Sequence, residues 1–132
     1  MPIFSLKSQA KSICLHNPDA DYRSAKRAEQ YRVSKQAIYF PAFPGTRYLP
    51  FAAVTRAQSK STSMTVKGCC GKELPIVRLR IFYDAESGVS GTEFYQDFTF
   101  EHLAGANRVL DALQMARPDI FIQRETTEHR VI

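Results

Sequence analysis

Residues 93–117 read EFYQDFTFEHLAGANRVLDALQMAR, and the spacing of the apolar side chains changes within this stretch. Up to Phe100 large apolar residues alternate with polar ones, which is the two-residue period of a strand. Beyond that residue they recur at helical spacing and form one apolar face, made of Leu103, Ala106, Leu110 and Leu113. Pro118 disfavours helical backbone just before it, so the helix is predicted to end at Arg117, with Thr99 as its N-cap.

A second strand, Glu73–Tyr83, is predicted just before this one. Its side chains alternate between an apolar face and a mixed face. The apolar face holds Val77, Leu79, Ile81 and Tyr83, and the mixed face holds Ile76, Arg78, Arg80 and Phe82. The intervening segment Asp84–Thr92 contains two glycines and reads as a loop, so the two strands are predicted to form a hairpin.

Shorter strands are predicted in the first half of the chain. Tyr31–Val33 and Ala37–Phe40 are rich in β-forming residues and are separated by a polar turn. Arg47–Val54 reads as another strand, in which Pro50 favours an edge or a bulge. Six or seven strands followed by one helix predict a mainly β chain with an antiparallel sheet and a C-terminal helix.

Three of these features together resemble the bacterial PH-like (pleckstrin-homology-like) family. They are the opening hairpin from Tyr31 to Phe40, the strand Leu49–Val54 with its internal proline, and the last strand leading into a single helix. The resemblance implies a strongly bent sheet or partly open barrel of about seven strands, capped by the helix. It divides the chain into an N-terminal extension (1–30), a PH-like domain (31–118) and a C-terminal tail (119–132). Lipid-binding members of the family carry basic clusters in the first loop, whereas Lys35 stands alone there, so phosphoinositide recognition is not implied.

Charge is distributed unevenly along the chain. The net charge is +5, yet 12 of the 18 Lys and Arg residues and only 3 of the 13 acids lie within residues 1–72. Such asymmetry can steer an anionic partner, and it is equally consistent with solvated surface or with a charge match between halves or between copies of the chain. The candidate ligand-binding residues are Lys35, Arg47, Arg56, Lys60, Lys67 and Lys72. Tyr39, Phe43 and Tyr48 either join them in an aromatic and basic surface or belong to the core.

The three cysteines, Cys14, Cys69 and Cys70, do not have the number or spacing of a disulfide framework or a zinc site. The N-terminus lacks the apolar core of a signal peptide, and no apolar run is long enough to span a membrane. A cytoplasmic location is therefore expected, with no metal and no cofactor. A thiol-dependent enzyme would require Cys69 or Cys70 to lie beside His102, which nothing in the sequence demands.

The leading functional hypothesis is a non-enzymatic PH-like binding module, because the fold is a scaffold and no catalytic motif is present. Its partner would be a protein or peptide segment added along an exposed strand edge. The alternative is a binder of an anionic ligand, either nucleic acid or a phospholipid headgroup, through the basic stretch 36–72. A homo-oligomer stays open, and the thiol-dependent enzyme is the third hypothesis.

Overall fold

The long strands from Val54 onward form a sheet separate from the one built by the strands before it. The computed structural model describes residues 6–10, 15–42, 45–65, 73–84 and 93–125. Its elements are β1 (Leu6–Ser8), α1 (Pro18–Ser24), β2 (Lys26–Ala28), β3 (Tyr31–Val33), β4 (Ala37–Ala42), β5 (Gly45–Pro50), a 3₁₀ turn (Phe51–Ala53), β6 (Val54–Thr65), β7 (Glu73–Tyr83), β8 (Phe94–Phe100), α2 (Leu103–Ala116) and β9 (Phe121–Gln123). The prediction of a mainly β chain with a C-terminal helix is confirmed.

The first sheet has the order β1-β5-β4-β3-β2 and the second has the order β8-β7-β6-β9. Consecutive strands from β2 to β5 and from β6 to β8 pair antiparallel, as predicted, whereas β1 runs parallel to β5 and β9 runs parallel to β6. Nine strands are thus present in the described ranges instead of about seven, and no hydrogen-bonded strand pair joins the two sheets there. The sheets are therefore mixed, and they do not close into a barrel.

The core lies between the two sheets and α2. The predicted apolar face of β7 is buried, and so are Ala106, Val109, Leu110 and Leu113 of the helix. Leu103 is only partly buried at the start of the helix. Because α2 contacts β2 and β3 as well as β7 and β8, it bridges the two sheets and holds them together.

The N-terminal extension and the C-terminal tail both contribute to the sheets. The tail supplies β9, and the extension supplies β1, β2 and α1. Tyr22 of α1 packs edge-on against Tyr39, and the hydroxyls of Tyr39 and Ser34 both donate to Asp21, each at 2.5 Å. Burial and the nearby Asp21 carboxylate raise the pKa of Tyr39 far above its usual range. The phenol therefore stays protonated and holds the extension on the first sheet.

The start of α2 is capped from a distant part of the chain. The N-cap position is His102, whose side chain makes no capping hydrogen bond, so the prediction of Thr99 was wrong, since that residue lies within β8. Glu29, in the turn between β2 and β3, accepts hydrogen bonds from the backbone N–H groups of Glu101 at 2.7 Å and His102 at 3.2 Å. Glu29 has a positive φ of 56°, which costs a residue with a side chain about 1–2 kcal/mol. Its carboxylate satisfies N–H groups at the positive end of the helix dipole.

Gly105 provides the space that this carboxylate occupies. A Cβ atom at residue 105 would lie 2.4 Å from Glu29 Oε2 and 2.8 Å from Phe100 Cδ1. We expect Gly105→Ala to displace the carboxylate and to lower the free energy of unfolding by about 1–3 kcal/mol, despite the better helix propensity of alanine. Urea denaturation measures the change.

A double-mutant cycle tests the cause. In a Glu29→Ala background the carboxylate is absent, so Gly105→Ala should cost less there, by roughly 0.5 kcal/mol or more. Equal costs in the two backgrounds would show that the glycine is needed only beside Phe100, and that the cap and the glycine act independently.

Candidate functional site

The backbone of β8 has one side paired with β7 and one side facing away from the sheet. The Thr99 N–H donates to Tyr31 Oη at 3.0 Å, and the Thr99 carbonyl accepts from Gln30 Nε2 at 2.7 Å. The peptide groups of Thr99 therefore point away from β7. Because peptide groups alternate along an antiparallel ladder, those of Tyr95 and Asp97 point the same way.

The two ends of this edge differ. Residues 29–31 cover the end near Thr99, whereas the end near Tyr95 has no such cover from the described residues. There, the outward peptide groups of Tyr95 and Asp97 receive only a long contact of 3.5 Å, from Gln96 Nε2 to the Asp97 carbonyl. The side chains of Phe94 and Tyr95 are 44% and 54% exposed. We call residues 93–97 the open edge.

Three other edge strands are shorter than β8, and part of the outer side of β6 is covered. β1, β2 and β9 have three residues each, against seven in β8. On β6, the side facing away from β7 is paired with β9, and Glu125 continues that cover. Its N–H donates to Ser59 Oγ at 2.8 Å, and its carboxylate accepts from the Ser61 N–H at 3.2 Å. Within the described ranges, the open edge is therefore available for pairing with another strand.

The outer face of the second sheet, which points away from α2, carries an aromatic row. Strand register aligns one side chain from each of the four strands: Phe121 of β9, Arg56 of β6, Phe82 of β7 and Tyr95 of β8. We call these three rings, with Arg56 between them, the aromatic row. The guanidinium carbon of Arg56 lies 3.7 Å from the centroid of the Phe82 ring, and that of Arg80 lies 4.2 Å from the Tyr95 centroid. These are cation–π contacts, and they hold the guanidinium groups over the rings.

Two carboxylates of the open edge hold these arginines. Glu93 accepts from Arg56 at 3.0 Å and from the Thr55 hydroxyl at 2.8 Å. Asp97 accepts two hydrogen bonds from Arg80, at 2.8 and 3.0 Å. The hydrogen bond from Arg56, together with that from Thr55, lowers the pKa of Glu93, and the bond to Asp97 raises the pKa of Arg80. The four charges cancel in pairs, so the edge carboxylates do not repel an approaching strand as free charges would.

Further along the same face two cations stand side by side. Lys60 of β6 is directly opposite Arg78 of β7, and both side chains are exposed. Neither forms an ion pair or a hydrogen bond with the side chains that the structure describes, and the next position in this row is the neutral Thr99. We call Lys60 and Arg78 the basic pair.

The structure separates the residues that the sequence groups as an anion site. Lys35 lies in the turn between β3 and β4 and Arg47 on β5, where it donates to Gln9, so both belong to the first sheet. Arg56 and Lys60 come together on the outer face of the second sheet. Lys67 and Lys72 lie outside the described residues, as do Cys69, Cys70 and Phe43. Tyr39 and Tyr48 are buried in the first sheet, which supports the core interpretation of these two rings.

Sequence reasoning missed five residues of the outer face: Arg78, Arg80, Phe82, Tyr95 and Phe121. A signal for part of this set was present, because Phe82 and two arginines share the mixed face of β7. A large aromatic ring on the solvent side of a strand is not needed for packing of the core, so it indicates a possible contact surface. Phe121 carried no such signal, since a three-residue strand after the helix has no readable period.

Comparison of the chain with protein-family models, with curated proteins and with solved structures finds no match. Over the ranges given above, no group of three or more His, Cys, Asp or Glu side chains is arranged to hold a metal ion. Neither described helix has the length and apolar character needed to cross a membrane. The site is therefore interpreted from its own geometry.

The ion pair between Arg56 and Glu93 gives a titration test. We expect Arg56→Gln to raise the pKa of Glu93 towards the ordinary carboxyl range, because the largest cause of its lowering is removed. A carbon-detected carboxyl titration measures the shift. The control is Arg78→Gln, which removes a cation of the same face that does not touch Glu93, and it should leave that pKa unchanged.

The sign of the stability effect follows. A carboxylate with a lowered pKa stabilises the fold above its pKa in the unfolded chain, and the contribution is lost as the pH falls through the folded value. For this exposed pair the contribution should stay below about 1 kcal/mol. If both variants shift the pKa of Glu93 equally, the general positive field is responsible and the specific hydrogen bond is not.

Proposed function

We propose that this chain is a non-enzymatic PH-like interaction module that binds an extended segment of a partner protein. The segment would lie as an additional strand along the open edge, residues 93–97. The mainly β architecture, with a single helix after the last long strand, is compatible with such a module. The observation that carries the proposal is the set of outward peptide groups at Tyr95 and Asp97.

These peptide groups offer what an extended peptide requires. A strand added beside β8 exchanges N–H and C=O hydrogen bonds with outward groups, and these bonds supply affinity that is independent of peptide sequence. Residues 29–31 already fill the same role at Thr99, where side chains satisfy the outward groups. The chain thus closes one half of this edge with its own atoms and leaves the other half for another strand.

The side chains beside the edge give a bound peptide something to recognise. Phe94 stacks on Tyr83, with ring centroids 6.0 Å apart, on the inner side of the strand. Tyr95 lies on the outer side, next to Phe82 in the aromatic row. Alternate side chains of an added strand point to opposite faces, so each face of the peptide would meet one exposed ring. A peptide with apolar residues at adjacent positions therefore fits this edge.

The test separates the N–H group of Tyr95 from its ring. Peptides of about 12 residues are selected from a random displayed library on the full chain, and their affinities are measured by calorimetry. Tyr95→Thr removes the ring and keeps the N–H, whereas Tyr95→Pro removes both. We expect the proline variant to bind about tenfold more weakly than the threonine variant, because it loses the backbone hydrogen bond as well. The ladder to β7 should survive, since the N–H of residue 95 points away from it.

Amide exchange provides the second readout. Peptide binding should slow exchange at Tyr95 and Asp97, with little change at their neighbours that are already bonded to β7. Equal affinity of the two variants, or unchanged exchange at these amides, would refute strand addition. A dimer that Tyr95→Pro dissociates, with no peptide enriched from the library, would instead assign the edge to a second copy of the chain.

A further inference from the structure

The two cations of the basic pair repel each other, and neither is paired with a carboxylate among the described residues. Like charges directly opposite each other on antiparallel strands are destabilising, and the usual remedy is a carboxylate in the same row. Here the row continues from Lys60 and Arg78 to Thr99, which is neutral. On the other side of β6, the Glu125 carboxylate accepts from the Ser61 N–H, and Lys60 forms no ion pair with it. In contrast, Arg56 and Arg80 on the same face each have a carboxylate partner. The two cations of the basic pair are therefore available to an anion from outside.

The aromatic row lies on the same face, four residues along β6 from the basic pair. At the usual rise of a strand this separates the two features by about 13 Å, and the row itself crosses three strand spacings, or about 14 Å. Phe121 at one end of the row is 68% exposed, and Tyr95 at the other end is 54% exposed. Between them, the guanidinium of Arg56 lies over the ring of Phe82. The outer face thus offers flat π surfaces and uncompensated positive charge within one short span.

From this combination we propose that the outer face of the second sheet binds single-stranded nucleic acid. Bases would stack on the exposed rings of the aromatic row, and a backbone phosphate would lie between Lys60 and Arg78. Unpaired bases bind without sequence preference to aromatic side chains and guanidinium planes, while basic residues follow the phosphates. The site is distinct from the open edge, which pairs through backbone groups, although Tyr95 borders both.

The charges favour a nucleic acid over an anionic bilayer. A membrane surface selects a cluster of cations with apolar groups that insert, whereas Arg56 and Arg80 on this face are paired with carboxylates. Only two cations remain, which is enough to hold one or two phosphates of a strand whose bases supply further contacts. The exposed rings of Phe121 and Tyr95 are suited to stacking with bases.

The experiment measures fluorescence anisotropy of labelled oligouridine and oligothymidine of about 12 nucleotides with the full chain, at salt concentrations from about 50 to about 200 mM. The double variant Lys60→Gln/Arg78→Gln should weaken binding about tenfold at low salt. It should also reduce the slope of log Kd against log salt by about 1.4, since two phosphate contacts are lost. The matched control is Arg23→Gln/Lys26→Gln, which removes one arginine and one lysine, both exposed, from the N-terminal extension. It should leave both the affinity and the slope within about twofold of the wild type.

A second pair of variants tests stacking. Phe121→Ala should weaken binding at least about fivefold, because one base loses its platform. Met115→Ala removes an apolar side chain that is 87% exposed on α2, away from this face, and should have no effect. Thermal unfolding of each variant checks that the fold is intact, and none of these variants alters the open edge.

Several results would overturn the proposal. Equal weakening by the two double variants would assign binding to net charge alone. Binding that is indifferent to Phe121→Ala, and that heparin reproduces, would identify a polyanion surface with no role for bases. Absence of oligonucleotide binding, together with sedimentation of the chain on vesicles containing phosphatidylserine, would assign the basic pair to a lipid headgroup.

Discussion

The contact between the Glu29 carboxylate and the start of α2 is the constraint on which the rest of the structure depends. It joins the turn of one sheet to the helix that follows the last long strand of the other. The contact requires a positive φ at Glu29 and the absence of a side chain at Gly105, so three separate parts of the chain must agree on one geometry. Because α2 packs on both sheets, fixing its first turn also fixes how the sheets face each other across the core.

The same turn determines what remains accessible. Gln30 and Tyr31 follow Glu29 directly, and their side chains form hydrogen bonds with the outward carbonyl and N–H of Thr99. The boundary between the covered and the open part of β8 is therefore set by the reach of three consecutive residues. On the outer face, Glu93 and Asp97 lock two arginines over two rings. One tight turn and two ion pairs thus separate a backbone site on the strand edge from a side-chain surface on the sheet.

The sequence predicts those parts of the fold in which apolar residues recur at one regular spacing, either that of a strand or that of a helix. The alternation of Glu73–Tyr83 and the helical face ending at Leu113 give the long strand and the helix at nearly their observed bounds. The cap of the helix was not predictable, because a carboxylate 72 residues away in sequence supplies it and no local pattern encodes such a contact. The parallel strands β1 and β9 were missed for a similar reason, since three residues are too few to show a period. For the candidate site, the sequence identified basic residues as a group, but only strand register shows which of them share a face.

The pairing of β6 with β9 affects which edges the nascent chain exposes during synthesis. β6 is the longest strand described, and its outer side is covered only when Phe121–Gln123 and Glu125 arrive at the far end of the sequence. At usual rates of synthesis, the ribosome needs roughly 3 to 12 s to make the roughly 60 residues that separate them. During that interval the hairpin of β6 and β7 has formed its own ladder but presents a long unprotected edge to other nascent chains. The few residues of β9 therefore end the period in which misassociation is easiest, and a chaperone acting on this protein would be needed before they emerge.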